Sequence, residues 1–521
     1  MKYPIGIQTF EKIIKEGYVY VDKTDMVYAL ATEGNTYFLS RPRRFGKSLL
    51  LSTLRAYFEG KKELFKGLKI DKLEKDWHVH RVFHFDFNSV NFTQPNALEE
   101  TLDYELSQWE KEYGIEAEFR NQFGLRLEKI LQVAAKQTGH GAVVLIDEYD
   151  KPLLDVLEMD PELLNNNREI LKAFYSVFKR TDAYLRFVFL TGVTKFSQVS
   201  VFSGFNQPKD ISMYEQFEAL CGITEEELHT QFAKPIREMA QTENCTEEEI
   251  KLRLKKHYDG YHFSKQMTDI YNPFSVLNSF DSKDIRDFWF ATGTPTYLIR
   301  LMNHFNEGID ELTGREYSLD EFVNYKADTE YPLPMIYQSG YLTIKNYDRE
   351  MDMFLLDFPN NEVKRGFLAM VASNYLQSGQ PMDSWIKRAV LSLRRGQIDQ
   401  FRQMLTAFLA SIPYSMRRKD EERERERYFQ YTFYLLLRLM SVYTVYIEKE
   451  QSEGRVDCVI ETPQFVYIFE FKLDGTAAGA LQQIEDKGYA REYEADARPV
   501  HKIGVNFSSE TGTIEGWACA E

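Results

Sequence analysis

The sequence predicts an α/β protein with a parallel sheet in its N-terminal part, a mostly helical middle region and a second α/β domain at its C-terminal end. Three observations support this fold class. Apolar runs alternate with helical stretches up to about residue 210, acidic helix starts follow, and two strand-like runs joined by a turn lie near the end. Parallel strands are covered on both faces and are therefore apolar throughout. With 521 residues, the chain exceeds one hydrophobic core and needs several domains.

Local patterns predict the individual elements. Short apolar runs predict strands at residues 37–39, 82–87, 142–146 and 187–190. Thr224 and Thr246 each stand before three glutamates, and a capping hydroxyl followed by negative charge is typical of a helix N-terminus. Residues 340–344 and 354–358 predict a β-hairpin beside helices, which is compatible with a winged-helix subdomain.

Charge and cysteine content argue against several classes of protein. The formal net charge of -16 disfavours a protein that coats nucleic acid non-specifically, although it does not exclude a local basic groove. The four cysteines are scattered without a C-x-x-C pair, so neither a disulfide framework nor a zinc ribbon is indicated. No apolar run approaches the roughly 20 residues of a membrane helix, and the first residues lack a signal-peptide pattern. We therefore expect a soluble, cytoplasmic protein without membrane association.

A phosphate-binding loop is predicted after the first strand. Residues 40–48 read SRPRRFGKS and lie between that strand and a helix, which is the order of a P-loop. Phosphates need backbone N–H groups at a helix N-terminus, a lysine for the β and γ oxygens and a hydroxyl for Mg²⁺. The loop departs from the usual pattern at Arg41, where the first glycine normally permits a tight turn. The nucleotide-binding residues predicted here are Arg44, Gly46, Lys47, Ser48 and Leu49.

Two carboxylates complete this predicted nucleotide site. The apolar strand 142–146 runs into Asp147 and Glu148. In P-loop enzymes the first acid holds the Mg²⁺ shell and the second can polarise the attacking water. Asp147 and Ser48 are therefore predicted metal ligands, and Glu148 is a predicted catalytic residue. Thr191, at the end of the next strand, could sense the γ-phosphate or could be an ordinary strand-to-loop cap. The predicted ligands are ATP and Mg²⁺.

Two strands near the C-terminal end carry a second set of charged side chains. Residues 454–472 predict a pair of strands with a turn at Pro463. Side chains alternate between the faces of a strand, so Glu470 and Lys472 share one face. A hairpin that is symmetric about the bond after Pro463 places Asp457 opposite Glu470, with their Cβ atoms about 5 Å apart.

Two carboxylates at this spacing repel each other unless a cation lies between them. Oxygen ligands with open water positions suit Mg²⁺ or Mn²⁺, which can activate water and stabilise charge on a scissile phosphate. Asp457 and Glu470 are therefore predicted metal ligands, and Lys472 is predicted to orient the water or neutralise developing charge. The alternative is a surface hairpin with ordinary ion pairs.

Predicted helices flank this hairpin on both sides. One precedes it and carries Glu426, and another follows at residues 477–489. Gln483 and Lys487 lie four residues apart on one face of the second helix. Both side chains could project toward the same site, or they could belong to a solvated face.

The motifs together resemble a known family. The runs YVYVDKT at 18–24, RPRRFGKSL at 41–49 and IDEYD at 146–150 are similar to the bacterial AAA-ATPase-like family, whose own loop contains the arginine at position 41. Members commonly end in a PD-(D/E)xK nuclease-superfamily domain, similar here to GRVD at 454–457, FEFKLDG at 469–475 and QQIEDKGYA at 482–490. The resemblance implies nuclease positions at Glu426, Asp457, Glu470 and Lys472, and nucleotide positions at Gly46, Lys47, Ser48, Asp147 and Glu148.

These observations and the resemblance predict the organisation of the chain. We expect an AAA-ATPase-like P-loop domain at 1–210, a helical lid or linker domain at 211–330, a helical region with a winged-helix-like hairpin at 331–415 and a restriction-endonuclease-like α/β domain at 416–521. The predicted catalytic residues are Glu148, Glu426, Asp457, Glu470, Lys472 and Gln483.

The function predicted from the sequence is an ATP-regulated nuclease. ATP binding or hydrolysis is expected to gate the cleavage of DNA or RNA, and a homo-oligomer is expected if a neighbouring subunit must supply an arginine. Two alternatives stay open. One is a signalling or scaffold ATPase whose last domain binds nucleic acid or protein without cutting, and the other is a DNA-binding switch that acts through the winged-helix-like region.

Overall fold

The computed structural model describes residues 1–116, 119–195, 208–289, 312–323, 331–376, 382–411, 444–451 and 454–520. The chain forms two compact units, Met1–Lys364 and Arg365–Glu521. The finer division into four domains stays a prediction.

The first unit contains the predicted parallel sheet. Its strands are β1 (Thr36–Ser40), β2 (Val82–Asp86), β3 (Ala142–Asp147), β4 (Leu185–Gly192) and β5 (Lys209–Asp210). They lie in the order β2-β3-β4-β1-β5, and each neighbouring pair is parallel. Every residue of β3 is buried, as expected for a strand covered on both faces. The carboxyl ends of β1, β3 and β4 therefore lie side by side at one edge of the sheet.

Helices connect and cover these strands. The helix Lys47–Phe58 begins directly after the loop that follows β1, and Gly46 at its N-terminus has a φ of +92°. The other α-helices of this part are Phe10–Lys15, Thr24–Glu33, Lys69–Leu73, Ala97–Tyr113, Phe123–Thr138, Lys151–Leu154, Pro161–Tyr175 and Val177–Arg180.

The rest of the first unit is mostly helical, as predicted. The helices Glu225–Gln231 and Glu247–Tyr258 begin with the expected capping boxes at Thr224 and Thr246. In each box the threonine hydroxyl accepts the N–H of a glutamate three residues on, and that glutamate accepts the threonine N–H. The remaining helices here are Ala233–Glu243, Pro273–Ser282, Leu319–Val323 and Leu333–Gln338.

Two small antiparallel sheets belong to this region. β6 (Ile223–Thr224) pairs with β7 (Ile270–Tyr271). β8 (Arg315–Ser318), β9 (Thr343–Asp348) and β10 (Met353–Asp357) form a sheet in the order β8-β10-β9. The hairpin predicted near residues 340–358 is thus present as β9 and β10, and its assignment to a winged helix stays a prediction.

The second unit is built on a mixed five-stranded sheet. Its strands are β11 (Thr444–Gln451), β12 (Gly454–Glu461), β13 (Val466–Leu473), β14 (Val500–Phe507) and β15 (Ile514–Ala520), in sequence order. β13 and β14 are parallel, and the other neighbouring pairs are antiparallel. The helices described here are Met382–Arg394, Ile398–Ala410 and Ala477–Asp486, and the helix Asn361–Leu376 begins in the first unit.

The predicted strand pair and the helix after it are both present in this unit. That helix ends at Asp486 and not near residue 489, because Gly488 adopts a φ of +60° that stops helical hydrogen bonding. The predicted helix around Glu426 falls outside the described residues. Within the described part of the chain, no helix is long and apolar enough to span a membrane.

A buried carboxylate in the first unit makes stability depend on pH. Asp259 is 1% exposed, and neither of its side-chain oxygens makes a hydrogen bond with another described residue. Burial, followed by the charge of Asp269, raises the pKa of Asp259 to about 7. The ionisable groups that face it are Glu225, Lys255, Asp269, Tyr271 and Lys345.

The native state therefore favours the protonated form of Asp259. The stabilisation that results from the raised pKa is fully present below pH 4 and is lost as the pH rises to about 7. It is lost because the carboxyl of the unfolded chain ionises at a lower pH than that of the folded chain. We expect Asp259→Asn to remove this loss and to raise the free energy of unfolding at pH 8, relative to pH 4, by up to about 4 kcal/mol. Urea denaturation at the two pH values measures the difference. An unchanged pH dependence would show that Asp259 is not the responsible group.

Candidate functional site

The loop after β1 places a lysine and a serine at the start of a helix. Lys47 is 5% exposed, and its Nζ donates hydrogen bonds to the carbonyl oxygens of Arg41 at 2.9 Å and Pro42 at 3.2 Å. The helix N-terminus that begins at Lys47 carries free N–H groups and a partial positive charge. Leu49 follows Ser48 in the first helical turn. The arrangement suits an anion, because the helix dipole and the ammonium group lie at the same place.

Asp147 links the loop to the neighbouring strands. Ser48 Oγ donates a hydrogen bond of 2.5 Å to Asp147 Oδ2, and Thr191 Oγ1 donates one of 2.6 Å to Asp147 Oδ1. Asp147 ends β3 and Thr191 lies near the end of β4, so parallel pairing brings them together. The structure thus brings the predicted residues Ser48, Asp147 and Thr191 into one cluster. Its hydroxyl and carboxylate oxygens are the ligands that Mg²⁺ prefers.

Glu148 lies beside this cluster in an unusual backbone conformation. Its φ is +51°, in the left-handed region that non-glycine residues rarely adopt. Burial raises the pKa of Glu148, and the charge of Lys47 lowers it in part. A carboxylate in such surroundings is suited to accepting a proton from water. The influence of the Lys47 charge shows that Glu148 lies near this lysine.

Asp150 is a site residue that the sequence reasoning did not single out. It is buried, and its Oδ2 accepts hydrogen bonds from Val193 N at 3.0 Å, Thr194 N at 2.6 Å and Thr194 Oγ1 at 2.8 Å. The hydroxyl of Tyr149 also donates to the Thr194 carbonyl at 3.0 Å. Asp150 therefore fixes the loop after β4 to the loop after β3. Asp150 is the third acidic residue of the run IDEYD, which was the available signal.

The arginines of the loop are used in different ways. Arg41 is 1% exposed and donates to the carbonyls of Ser40 and Ser212 at 2.9 and 2.7 Å. Positive φ values occur at Arg44 and Gly46 and not at Arg41, so position 41 does not need a glycine. The guanidinium of Arg44 lies 5.0 Å from the centre of the Phe274 ring. Arg44 can therefore offer its backbone N–H to a phosphate while its side chain is held elsewhere.

The hairpin of the second unit has the predicted register. β12 and β13 pair antiparallel with Cys458 opposite Phe469, and these two residues are the chain neighbours of Asp457 and Glu470. Asp457 Oδ2 accepts a hydrogen bond of 2.8 Å from the backbone N–H of Phe471. The Asp457 charge also contributes to the pKa of Glu470, so the two carboxylates are close neighbours.

Glu470 is the centre of a polar cluster on one face of the sheet. Its Oε1 accepts a hydrogen bond from Gln483 Nε2 and lies 3.6 Å from Lys472 Nζ, and Lys472 Nζ donates to Gln483 Oε1 at 2.7 Å. Glu470 is 2% exposed, and its Oε2 is buried without a hydrogen-bond partner among the described residues. Burial, followed by the charge of Asp457, raises the pKa of Glu470 to about 7.

A glycine allows the helix that carries Gln483 to approach the sheet. Gly504 on β14 pairs with Glu470, and a Cβ atom built there would lie 2.2 Å from the Ala477 carbonyl oxygen and 2.6 Å from Leu481 N. Any larger residue would push the helix away. The hydroxyl of Thr476 caps the helix by accepting Gly479 N at 3.0 Å. Gly504 and the cap together place Gln483 over Glu470.

Two other residues of this region have different positions. Lys487 follows the end of the helix and is exposed, so it does not join the cluster. Tyr489 is 2% exposed and donates a hydrogen bond of 2.9 Å to the Arg455 carbonyl. Burial and the charge of Glu470 raise the pKa of Tyr489, which places its hydroxyl near the cluster. Tyr489 was not among the predicted site residues, although it belongs to the run QQIEDKGYA.

The residues of the cluster fit a divalent cation. Glu470 Oε2 is a buried acceptor without a hydrogen-bond partner in the described part of the chain, and the Asp457 carboxylate lies beside it. An unpaired buried acceptor is costly unless a cation approaches it. No group of three His, Cys, Asp or Glu among the described residues is arranged to hold a metal, so water would have to complete the shell. Glu426 lies outside the described residues.

Comparisons with known proteins agree with the two sets of motifs. A family described as Predicted AAA-ATPase matches residues 4–202, and the PD-(D/E)XK nuclease superfamily matches residues 424–517. A protein of Azotobacter chroococcum mcd 1, named "Uncharacterized protein in vnfD 5'region", is 36% identical over an alignment of 529 positions. The alignment covers 99% of this chain and 98% of the relative.

Two solved structures share a much weaker likeness. The Aeropyrum pernix ORC2 protein, in ADPNP-ADP complexes, has a TM-score of 0.26 at 13% identity and covers 70% of this chain and 98% of its own. The Aeropyrum pernix ORC1 protein, in complex with DNA, has a TM-score of 0.23 at 11% identity and covers 91% of this chain and 95% of its own.

Proposed function

The chain belongs to the family of AAA-ATPase-like proteins that carry a PD-(D/E)XK nuclease-superfamily domain, and from this premise we propose that it is an ATP-regulated, metal-dependent nuclease. The observation that carries the proposal is the buried Glu470 carboxylate, with one oxygen unpaired, between Asp457 and Lys472. A buried carboxylate oxygen without a hydrogen-bond partner needs a structural reason, and a bound cation would supply one.

The first unit would bind ATP with Mg²⁺ at the loop after β1. Lys47 would turn from the carbonyls of Arg41 and Pro42 to the β and γ phosphate oxygens. Ser48 and Asp147, already joined by a hydrogen bond, would contribute oxygens around the cation. Glu148 would accept a proton from the attacking water, because burial favours its protonated form. Thr191 holds the Asp147 carboxylate in place for this role.

The second unit would cleave a phosphodiester bond at the Glu470 cluster. A divalent cation bound by Asp457 and Glu470 would supply Lewis acidity for the scissile phosphate and a more acidic water. Lys472 lies 3.6 Å from Glu470 Oε1 and can stabilise negative charge on the phosphate. Gln483 holds both Lys472 and Glu470 through its amide, which fixes their relative position. DNA and RNA are both candidate substrates.

We further propose that the nucleotide state of the first unit gates cleavage in the second. Both matched domains lie in one chain, and the 36% identity to the relative extends over 99% of this chain and 98% of the relative, which supports the proposal that they work together. A homo-oligomer, in which an arginine of one subunit reaches the nucleotide of another, is compatible with this proposal. A chain that binds ATP and nucleic acid without cutting would instead be a signalling or scaffold ATPase.

Replacing Glu470 with glutamine tests the metal site directly. The variant keeps the shape but loses the charge, so we expect Mn²⁺ binding measured by calorimetry to fall by at least about 100-fold. The metal-free variant should unfold at a higher temperature than the wild-type chain at pH 8, because a buried charge with an unpaired oxygen is gone.

Glu461→Gln is the matched control for this variant. Glu461 lies on β12 of the same sheet, but its Oε2 is bound by Arg498 Nη2 at 3.0 Å. We expect it to leave Mn²⁺ affinity unchanged and to lower the unfolding temperature. Equal Mn²⁺ binding by wild type and Glu470→Gln would refute the metal site.

A further inference from the structure

Several residues of the phosphate-binding loop each contact a residue in the second half of the first unit. Trp289 Nε1 donates a hydrogen bond to the carbonyl oxygen of Arg43 at 3.1 Å. A Cβ atom on Gly340 would lie 2.6 Å from the Pro42 ring, so only glycine fits against it. Phe45 contacts the ring of Tyr261 edge-on at 4.8 Å. Residues 42, 43 and 45 of the loop are thus each contacted by a residue of the second half of the first unit.

One residue of this loop needs such support. Arg44 has a φ of +67°, a conformation that glycine adopts freely and that an arginine adopts only when its surroundings enforce it. The Phe274 ring holds the Arg44 guanidinium on one side. The Trp289 hydrogen bond holds the preceding peptide group on the other. The left-handed backbone of Arg44 is therefore imposed by two aromatic side chains.

The Trp289 hydrogen bond also sets the direction of a backbone donor. In a planar trans peptide, the carbonyl of Arg43 and the N–H of Arg44 point in opposite directions. With the Arg43 carbonyl bound to the indole, the Arg44 N–H points away from Trp289. A left-handed residue at 44 and another at Gly46 arrange successive N–H groups around a concavity that binds anions.

Trp289 is itself firmly anchored. Its backbone N–H donates to Glu362 Oε1 at 2.7 Å, and the Phe288 N–H donates to the same oxygen at 2.5 Å. Ser275 Oγ donates to Glu362 Oε2 at 2.7 Å. Glu362 is fully buried, and the Trp289 ring packs against Tyr341 with centroids 5.1 Å apart. The indole therefore has little freedom to leave the loop.

We propose that Trp289 is a positioning residue for nucleotide binding. Its indole N–H holds the Arg43 carbonyl, so that the strained Arg44 presents its backbone N–H to the phosphates of ATP. This inference rests on the proposed binding of nucleotide at the loop after β1.

The test compares ATP affinity in single and double variants. Trp289→Phe keeps the ring and removes the donor, and we expect ATP affinity to fall by about tenfold, as for the loss of one hydrogen bond. Trp77→Phe is the matched control, because its indole N–H is buried without a hydrogen-bond partner in the described residues, and it should bind ATP like wild type. In the Arg44→Gly background, Trp289→Phe should lower ATP affinity by less than about twofold, because glycine adopts the left-handed conformation without support.

Hydrogen exchange gives a readout that does not need ATP. In the nucleotide-free chain, the amides of residues 43–46 should exchange about tenfold faster in Trp289→Phe than in Trp77→Phe. Wild-type affinity and exchange in Trp289→Phe would overturn the inference, and so would an equal loss of affinity with and without Arg44→Gly. If the wild-type chain binds no ATP, the proposed function fails, and the exchange experiment still decides whether Trp289 orders the loop.

Discussion

Lys472→Ala is expected to lower the rate of phosphodiester cleavage by about 10³-fold, because the variant loses the ammonium group that would stabilise negative charge on the scissile phosphate. Lys472 Nζ lies 3.6 Å from Glu470 Oε1 and donates to Gln483 at 2.7 Å, so the ammonium group is held in place before substrate arrives. The side chain is 37% exposed, so its removal leaves no large cavity and the fold should persist. Cleavage of labelled DNA and RNA with Mg²⁺ or Mn²⁺ measures the effect.

Lys502→Ala is the matched control for this experiment. Lys502 lies on the neighbouring strand β14, and its Nζ forms an ion pair with Glu485 Oε1 at 2.6 Å. We expect this variant to cleave at the wild-type rate. A similar loss in both variants would mean that weakening the sheet, and not the chemistry, causes the effect. Wild-type cleavage by Lys472→Ala would contradict the assigned role.

Lys47→Ala is expected to weaken ATP binding by about 10- to 100-fold. A charge-assisted hydrogen bond to phosphate contributes about 1.5–3 kcal/mol, and each 1.4 kcal/mol corresponds to about tenfold in affinity. The variant also leaves the carbonyls of Arg41 and Pro42 without their present donor, so the loop should lose order. Calorimetry or a fluorescent nucleotide analogue measures the dissociation constant.

Lys61→Ala controls for the general loss of a lysine from the first unit. Its Nζ forms ion pairs with Glu11 at 2.8 Å and Glu59 at 2.9 Å, and it takes no part in the loop. It should bind ATP with wild-type affinity, and the loss of exposed ion pairs should cost less than about 1 kcal/mol of stability. Unchanged ATP affinity in Lys47→Ala would show that the phosphates bind elsewhere on the chain.

Four strands of the first sheet and two of the second were predicted from the sequence because these runs are strongly patterned. The run from Ala142 to Ile146 is apolar at every position, which only a strand covered on both faces requires. The register of the hairpin followed from the turn at Pro463, since antiparallel pairing fixes all later pairs. The clustering of Ser48, Asp147 and Thr191 followed in turn from parallel strands that end at one edge.

Other site features depended on contacts between distant segments and could not be predicted from local patterns. Trp289 is 246 positions from Arg43, and nothing in the run around it indicates a bond to the loop. Gly504 resembles any glycine in a strand until the helix at Ala477 is packed against it. The positive φ of Arg44 could not be predicted from the residue type, because arginine rarely adopts this conformation. It is known only from the backbone of the folded chain.

Cleavage measured with and without ATP tests the central claim most directly. Wild type, Lys47→Ala and Lys472→Ala are incubated with single- and double-stranded DNA and RNA in Mg²⁺ or Mn²⁺. We predict that ATP changes the cleavage rate of the wild-type chain, that Lys47→Ala cleaves at a rate independent of ATP, and that Lys472→Ala does not cleave. Measurable ATP binding by the wild-type chain, with no cleavage of any substrate, would contradict this account.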